Sequence, residues 1–197
     1  MYRKLLPLFA LLLLVSCGSG DRDNPPRNLD DACSMKSQKS SWFKDLERVE
    51  RKYQIPKASL LAMMYQESKF VANARTPQKY TLGVIPTGRV SSAYGYAQAL
   101  DGTWDWYKDE TGKRSAKRND FGDAVDFMGW YMNQTRSKNG VRLSDARNQY
   151  LAYHEGHTGF SRGTYRKKAW LVRVAGEIDQ RASMYQRQIR SCRIRGL

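Results

Sequence analysis

The chain has few of the residues that bind metal ions or break regular structure. Its 197 residues include two histidines, three cysteines and six prolines. Because the histidines are so few and the cysteines lie far apart, the sequence makes a weak case for a metal site, and no cofactor is predicted. The scarcity of proline and a hydrophobic content of 41% argue against a largely disordered chain and favour one folded domain with tails.

The apolar run over residues 5–16 is too short to span a bilayer comfortably as a mature helix. It follows Arg3 and Lys4, an arrangement typical of a secretory signal. Its Leu-Val-Ser-Cys ending resembles a bacterial lipoprotein signal, which implies that Cys17 is the first mature residue and carries lipid. An ordinary signal peptide with an incidental cysteine is the alternative. By the same resemblance, Gly18 predicts a periplasmic protein anchored in the inner leaflet of the outer membrane.

Acidic residues are scarce beside basic ones, 19 against 34, which gives a net charge of +15. Such a charge favours an acidic partner: nucleic acid, anionic lipid or cell-wall glycan. Predicted export argues against nucleic acid. The charge does not choose between a membrane surface and peptidoglycan, and it is also compatible with a solvated surface. Protein partners are not predicted.

Composition divides the chain into four parts. Residues 1–16 form the signal, residues 17–39 a flexible tether rich in small and polar residues, residues 40–190 the folded domain, and residues 191–197 a basic tail. In an oxidising periplasm, Cys33 and Cys192 are expected to form a disulfide between the tether and the tail.

Apolar spacing predicts a mainly helical domain. A small ribbon within residues 80–92 is the one strand-like segment. The predicted helices cover residues 41–53, 57–68, 103–109 and 121–133, a segment capped by Ser144 that ends near His154, and a last helix from Thr164 past Ile178.

Glu67 is the most informative residue. It shares one helix face with Leu60, Met63 and Met64, and it lies at the C-terminal end of its helix. Burial and the negative end of the helix dipole both disfavour its ionised form, so its pKa should be raised. Glycosidic cleavage needs such a proton donor. The alternative is a helix-terminal glutamate that points into solvent.

Four motifs in order resemble the soluble lytic transglycosylase family, whose fold is that of goose-type lysozyme. They are Glu-Ser-Lys-Phe at 67–70, the Ser/Ala/Gly/Gln/Thr segment at 91–103, Ala-Tyr-His-Glu-Gly at 152–156 and Trp-Leu-Val-Arg-Val at 170–174. The resemblance implies a lysozyme-like helical domain with little or no β-structure, and a peptidoglycan substrate. This sequence departs from the family's usual residues at Tyr96, Ala97, His154 and Trp170.

The resemblance also implies the site. Glu67 would be the catalytic acid, and the substrate contacts would be Ser91, Gly95, Tyr96, Gln98, Tyr153, His154 and Trp170. Several of these have simpler explanations: a loop cap for Ser91, a turn for Gly95 and core packing for Tyr153. Weaker candidates for sugar contact are Tyr165, Trp104, Trp106 and Trp130, since aromatics at helical spacing are more often core.

No second carboxylate stands at a corresponding place near Glu67. Asp101 is interpreted as a helix cap and Asp126 as exposed, whereas Glu155 is a candidate for the cleft. One carboxylate fits the lytic transglycosylase reaction, which cleaves the MurNAc–GlcNAc β-1,4 bond and leaves a 1,6-anhydro end. The alternatives are a hydrolytic muramidase with the same acid, and a non-catalytic wall-binding lipoprotein.

Overall fold

A computed structural model describes residues 24–194, with side chains up to residue 192. The predicted signal peptide, the predicted lipidation site Cys17, and residues 195–197 lie outside the described residues. The elements in chain order are α1 (Ala32–Gln38), α2 (Ser40–Tyr53), α3 (Lys57–Ser68), β1 (Gln78–Thr81), β2 (Ile85–Arg89), α4 (Asp101–Thr111), α5 (Phe121–Asn139), α6 (Ala146–Ser161), a 3₁₀ turn (Thr164–Lys167) and α7 (Ala169–Ile194).

Helix α3 is the centre of the domain. Its residues from Ala58 to Met64 are all buried, so it is apolar around its circumference rather than along one stripe. It packs against α7, α2, α5 and α6. Because α3 is enclosed in this way, a functional side chain at its end has a rigid base.

The mainly helical, lysozyme-like class is confirmed, with one small β-element. Strands β1 and β2 form an antiparallel hairpin in which Gln78 pairs with Arg89 and Thr81 pairs with Ile85. The hairpin lies at the predicted ribbon. Within residues 24–194, no helix is both long and apolar enough to cross a membrane.

The N-terminal boundary of the folded domain lies before residue 40. Within the segment predicted as a flexible tether, α1 buries Ala32 and Met35 in the core. Asp31 starts this helix by accepting hydrogen bonds from the amides of Cys33 and Ser34. The predicted tail is also structured in part, because α7 continues to Ile194. All buried hydrophobic residues of the described chain lie between Ala32 and Cys192.

A disulfide joins the two ends of the domain. Cys33 on α1 is bonded to Cys192 on α7, with 5.7 Å between their Cα atoms. The bridge closes a loop of 159 residues in sequence separation. It therefore holds α1 against the last turns of α7, where Gln188 also accepts a hydrogen bond from the Ala32 amide.

Several predicted helix boundaries are wrong. Asp145, not Ser144, caps α6 by accepting from the Asn148 amide. Asp101 is not a cap, since Leu100 precedes α4 as the cap residue and Asp101 pairs with Arg118 at 2.7 Å. The last helix begins at Ala169, because a separate 3₁₀ turn occupies the four residues before Lys168.

Candidate active site

Glu67 lies in the last turn of α3, where the backbone reverses sharply. Lys69 and Phe70 both have left-handed conformations, with φ of 51° and 62°. Such conformations are disfavoured for residues with side chains and persist where the surrounding structure imposes them. Phe70 is fully buried, with its ring centroid 5.9 Å from that of Trp42. The buried Phe70 ring thus fixes the end of α3 and the position of Glu67.

The carboxyl group of Glu67 is held in a partly dry setting. Burial raises its pKa to about 8, although a hydrogen bond from Tyr150 and the charge of Lys69 act in the opposite direction. The residue as a whole remains half-buried. At pH 7 such a group is mostly a neutral acid, as the sequence predicts for a proton donor.

Two tyrosines of α6 lie near Glu67, and each donates a hydrogen bond there. The hydroxyl of Tyr150 donates a hydrogen bond to the Glu67 carboxylate, and burial together with this carboxylate raises the pKa of Tyr150. The hydroxyl of Tyr153 donates to the carbonyl oxygen of Ala97, and its pKa is raised by burial and then by the charge of Glu67. Tyr153 therefore connects the Glu67 surroundings to the segment at residues 95–98.

Tyr150 is the site residue that sequence reasoning missed. It precedes Tyr153 by three residues, which places both rings on one face of α6. That spacing was the available signal. The spacing does not single out Tyr150, because the motif at 152–156 starts after it and because a buried tyrosine is usually core.

The segment at 91–98 is held by hydrogen bonds within itself and to Ala74. Gln98 donates through Nε2 to the carbonyl oxygens of Ala74, at 2.9 Å, and Gly95, at 2.8 Å. Ser91 Oγ accepts from the Ala93 amide at 3.3 Å, which is the loop-cap role. Through these contacts Ser91 and Gln98 hold the backbone of the segment in position.

Gly95 has a packing reason of its own. Its φ is 80°, and a Cβ there would lie 2.1 Å from the carbonyl oxygen of Arg118. The Tyr96 amide donates to that same oxygen at 3.1 Å. Glycine at 95 thus allows the loop before α5 to pack against the 95–98 backbone, and this packing explains the glycine without any sugar contact.

Tyr96 is a core residue, which favours a packing role over the predicted contact with substrate. Only 1% of it is exposed. Its ring packs edge-on against Trp42, at 5.6 Å, and Phe121, at 5.4 Å. A tyrosine here replaces the aliphatic residue of the related motif and fills the space between α2 and α5.

His154 and Trp170 form an aromatic edge beside Tyr150. The ring of His154 lies 5.2 Å from Trp170 and 6.4 Å from Tyr150. Trp170 is 48% exposed, so its ring is available to a ligand. The contacts therefore run from Glu67 through Tyr150 and His154 to an exposed indole.

Glu155 is tied into an ion-pair network at the start of α7. Lys168 Nζ lies 2.6 Å from its Oε1, and Thr164 and His154 also contact its carboxylate. Burial alone would raise its pKa, but these partners outweigh burial and lower the pKa to about 2. The network orients the 164–168 turn against α6, so Glu155 is a structural group rather than a second proton donor.

Asp126 is fully buried, so its predicted exposure is wrong. Lys52 at 3.0 Å and Lys113 at 2.8 Å pair with its carboxylate, and the Tyr107 hydroxyl donates to it at 2.8 Å. Burial would raise its pKa, yet these three partners together lower it. The carboxylate is thus a satisfied structural centre between α2, α4 and α5.

The other aromatic candidates are mainly core. Trp104 and Trp130 are buried, and Trp106 stacks edge-on against Trp130 at 4.5 Å. The Tyr165 ring stacks on Phe160 at 5.3 Å. None of these contacts connects them to Glu67. Among residues 24–194, no group of three or more His, Cys, Asp or Glu is placed to hold a metal ion.

A cavity of about 440 Å³ lies between α3 and α7 and is lined by Tyr65 and Arg181, among others. Tyr65 precedes Glu67 by two residues, which places it on the opposite face of α3. This cavity is therefore separate from the Glu67 carboxyl. The Arg181 guanidinium covers the Tyr65 ring at 3.5 Å and binds Asp30, so the cavity wall belongs to the N-terminal packing.

The comparison with protein families gives one match. A family model described as the transglycosylase SLT domain matches residues 5–192 of this chain. A search of the curated proteins found no match. The matched range contains Glu67, the 91–98 segment, α6 and Trp170.

Proposed function

This chain belongs to the transglycosylase SLT family, and from that premise we propose that Glu67 is its catalytic acid and then its catalytic base. The family acts on the glycan strands of peptidoglycan. The finer proposal is cleavage of the MurNAc–GlcNAc β-1,4 bond with formation of a 1,6-anhydro-MurNAc end. It is supported above all by the Glu67 carboxyl, whose burial raises its pKa to about 8.

The first step is proton transfer. The neutral Glu67 carboxyl gives its proton to the glycosidic oxygen, and the bond between that oxygen and the anomeric carbon of MurNAc breaks. The GlcNAc product leaves with a hydroxyl group. The N-acetyl oxygen of the MurNAc residue can bond to the anomeric carbon and take up its positive charge in an oxazolinium ring, without a protein nucleophile.

The second step restores the acid. The Glu67 carboxylate accepts the proton of the C6 hydroxyl of the same MurNAc, and the C6 oxygen attacks the anomeric carbon. The bond to the N-acetyl oxygen breaks as the anhydro bridge forms. No water is consumed, and Glu67 ends neutral. A group that first donates and then accepts a proton works best with a pKa near the operating pH.

The surrounding residues would position this chemistry. Tyr150 orients the Glu67 carboxyl through its hydrogen bond. Trp170, with its exposed ring, is the proposed sugar-stacking residue, and His154 supports that ring from the side. Tyr153 and Gln98 hold the 95–98 segment beside the site.

We also propose that the protein is exported and anchored by lipid on Cys17 in the inner leaflet of the outer membrane. This rests on the Leu-Val-Ser-Cys signal and on Gly18. Such an anchor would place a peptidoglycan-cleaving domain in the compartment that holds its substrate.

The test is product release from purified sacculi. The wild-type chain should release muropeptides with anhydro ends, each lighter by one water than the corresponding reducing product. Glu67→Gln should release none while keeping the wild-type circular dichroism. The matched control is Glu110→Gln, which changes an exposed glutamate of α4 and should leave release unaltered.

The outcomes separate the alternatives. Reducing ends in place of anhydro ends would assign hydrolysis and overturn the transglycosylase step. Turnover retained by Glu67→Gln would overturn the assignment of the acid. Binding of the wild-type chain to sacculi without any product would identify a non-catalytic wall-binding protein.

A further inference from the structure

The hairpin formed by β1 and β2 exposes an apolar tip. Leu82 is 85% exposed, Val84 76% and Ile85 53%. The strands contact each other, and neither contacts a helix of the described chain. Soluble surfaces seldom gather several large aliphatic side chains in one projecting turn. The turn therefore needs an explanation outside the core.

Charge around the tip has one sign. No aspartate or glutamate occurs between Glu67 and Asp101, whereas Lys79 and Arg89 flank the tip on the two strands. Tyr80, 56% exposed, lies between Lys79 and the turn. An apolar tip, an interfacial tyrosine and basic residues behind them form the pattern of a segment that enters the headgroup region of an anionic membrane.

We infer that this hairpin is a membrane-docking wedge that inserts Leu82, Val84 and Ile85 into an anionic phospholipid surface. Lys79 and Arg89 would then contact lipid phosphates. The tip is a tight surface turn, because only residues 82–84 connect Thr81 to Ile85, and Leu82 and Gly83 adopt φ of 54° and 75°. Only side chains need to enter the lipid.

Other occupants fit the tip less well. Sugars stack on aromatic rings, and the tip is aliphatic. In a symmetric contact between two copies the same patch faces itself. Lys79 and Arg89 of one copy would then lie near Lys79 and Arg89 of the other and repel them. An anionic lipid surface satisfies both the apolar and the basic residues.

Docking would also bear on the active site. The hairpin lies in sequence between Glu67 on α3 and the 95–98 segment, which Tyr153 joins to the Glu67 surroundings. A hairpin seated in lipid would therefore hold the chain near the membrane between these two parts of the site. This inference goes beyond the proposed glycan cleavage and does not depend on it.

The experiment uses residues 18–197 without a lipid anchor. This segment contains every described element and the disulfide, so it retains the whole core. Co-sedimentation is measured with vesicles of phosphatidylglycerol and phosphatidylethanolamine, and with vesicles of phosphatidylcholine alone. We expect binding to the anionic vesicles that weakens with salt, since screening reduces the attraction of Lys79 and Arg89.

The tip variant is Leu82→Asn with Val84→Thr, which removes apolar character without changing charge or the left-handed turn. It should lower the partition constant for anionic vesicles by about tenfold or more. Lys79→Gln should lower it by about fivefold. The matched control is Leu100→Asn, at a leucine 48% exposed outside the hairpin, where asparagine can cap α4. It should bind as the parent does.

Equal vesicle binding by the tip variant and its parent would overturn the inference. So would loss of sacculus binding with unchanged vesicle binding, which would assign the tip to glycan or to another wall component. Self-association that depends on Leu82 in sedimentation velocity would assign it to a second copy. Release of products from soluble glycan by the tip variant should match the parent, so this test is independent of the catalytic proposal.

Discussion

Replacing Glu67 with glutamine should stabilise the protein in alkaline solution, and the size of the effect follows from the pKa of this group. In the unfolded chain the carboxyl has its ordinary pKa of 4.5, whereas burial raises it to about 8 in the folded protein. Below pH 4.5 the carboxyl is neutral in both states and has no effect. Between these pKa values the unfolded chain releases its proton and the folded chain keeps it. Stability therefore falls as pH rises.

The magnitude has a calculable ceiling. Each pH unit in this interval costs at most about 1.36 kcal/mol, so an interval of about 3.5 units corresponds to about 5 kcal/mol. Glu67 is only half-buried, and solvent screens its charge, so we expect about half of that ceiling, roughly 2–3 kcal/mol. The Glu67→Gln side chain stays neutral and avoids this cost, while its amide oxygen can still accept from Tyr150.

The assay is urea unfolding of oxidised protein from pH 4 to pH 9. The difference in free energy of unfolding between Glu67→Gln and wild type should be near its minimum at pH 4.5, grow to pH 8 and level off above it. The Glu110→Gln control changes an exposed side chain and should unfold in parallel with wild type at each pH. A Glu67→Gln difference that stays constant with pH would mean that Glu67 is ionised in the folded protein, and the acid-catalyst reasoning would be refuted.

Three further variants test separate parts of the structure. Tyr150→Phe removes the hydrogen bond that lowers the pKa of Glu67, so the alkaline limb of the pH–rate profile should move to higher pH and kcat/KM should fall about tenfold. Asp126→Asn leaves its cations unpaired and should cost about 3 kcal/mol in urea unfolding at pH 7. That cost should shrink as pH falls through the lowered pKa of Asp126, because protonation removes the same charge. Gly95→Ala places Cβ 2.1 Å from the Arg118 carbonyl oxygen and should lower the free energy of unfolding by about 2–4 kcal/mol.

The position of Glu67 could be predicted because it depends on one helix. Leu60, Met63 and Met64 are buried on α3, and the carboxyl at the same face lies at the helix end, as the spacing indicates. A periodic pattern within twelve residues carries that information. The presence of Tyr150 beside the carboxyl could not be derived in this way, because it depends on how α6 packs against α3.

Asp126 also shows that local spacing does not reveal contacts between helices, and here the result is a wrong prediction of exposure. One apolar stripe on α5 suggests that a residue off the stripe is solvated, but α5 is covered by α2, α4 and α6, so it has no free side at this position. Lys52 on α2 compensates the charge of Asp126, and it is 74 residues away in sequence. Local spacing does not encode such pairing. The composition of residues 17–39 predicts a flexible tether and does not predict α1, although Asp31 is a common helix-start residue.

The carboxyl groups near the motifs are of two kinds: some are ionised and paired with cations, and Glu67 is protonated. This difference favours a reaction that uses one carboxylate. Asp126 is held ionised by lysines and a tyrosine, and Glu155 by Lys168 and its neighbours, so neither is poised to give or take a proton at neutral pH. Asp101 pairs with Arg118 at the surface. Glu67 has a hydrogen bond from Tyr150, and burial raises its pKa to about 8, so it stays mostly protonated at neutral pH. Two-carboxylate hydrolysis needs a second group to activate water. With a single poised acid, a nucleophile supplied by the sugar itself is favoured, which is why we propose an anhydro end as the product.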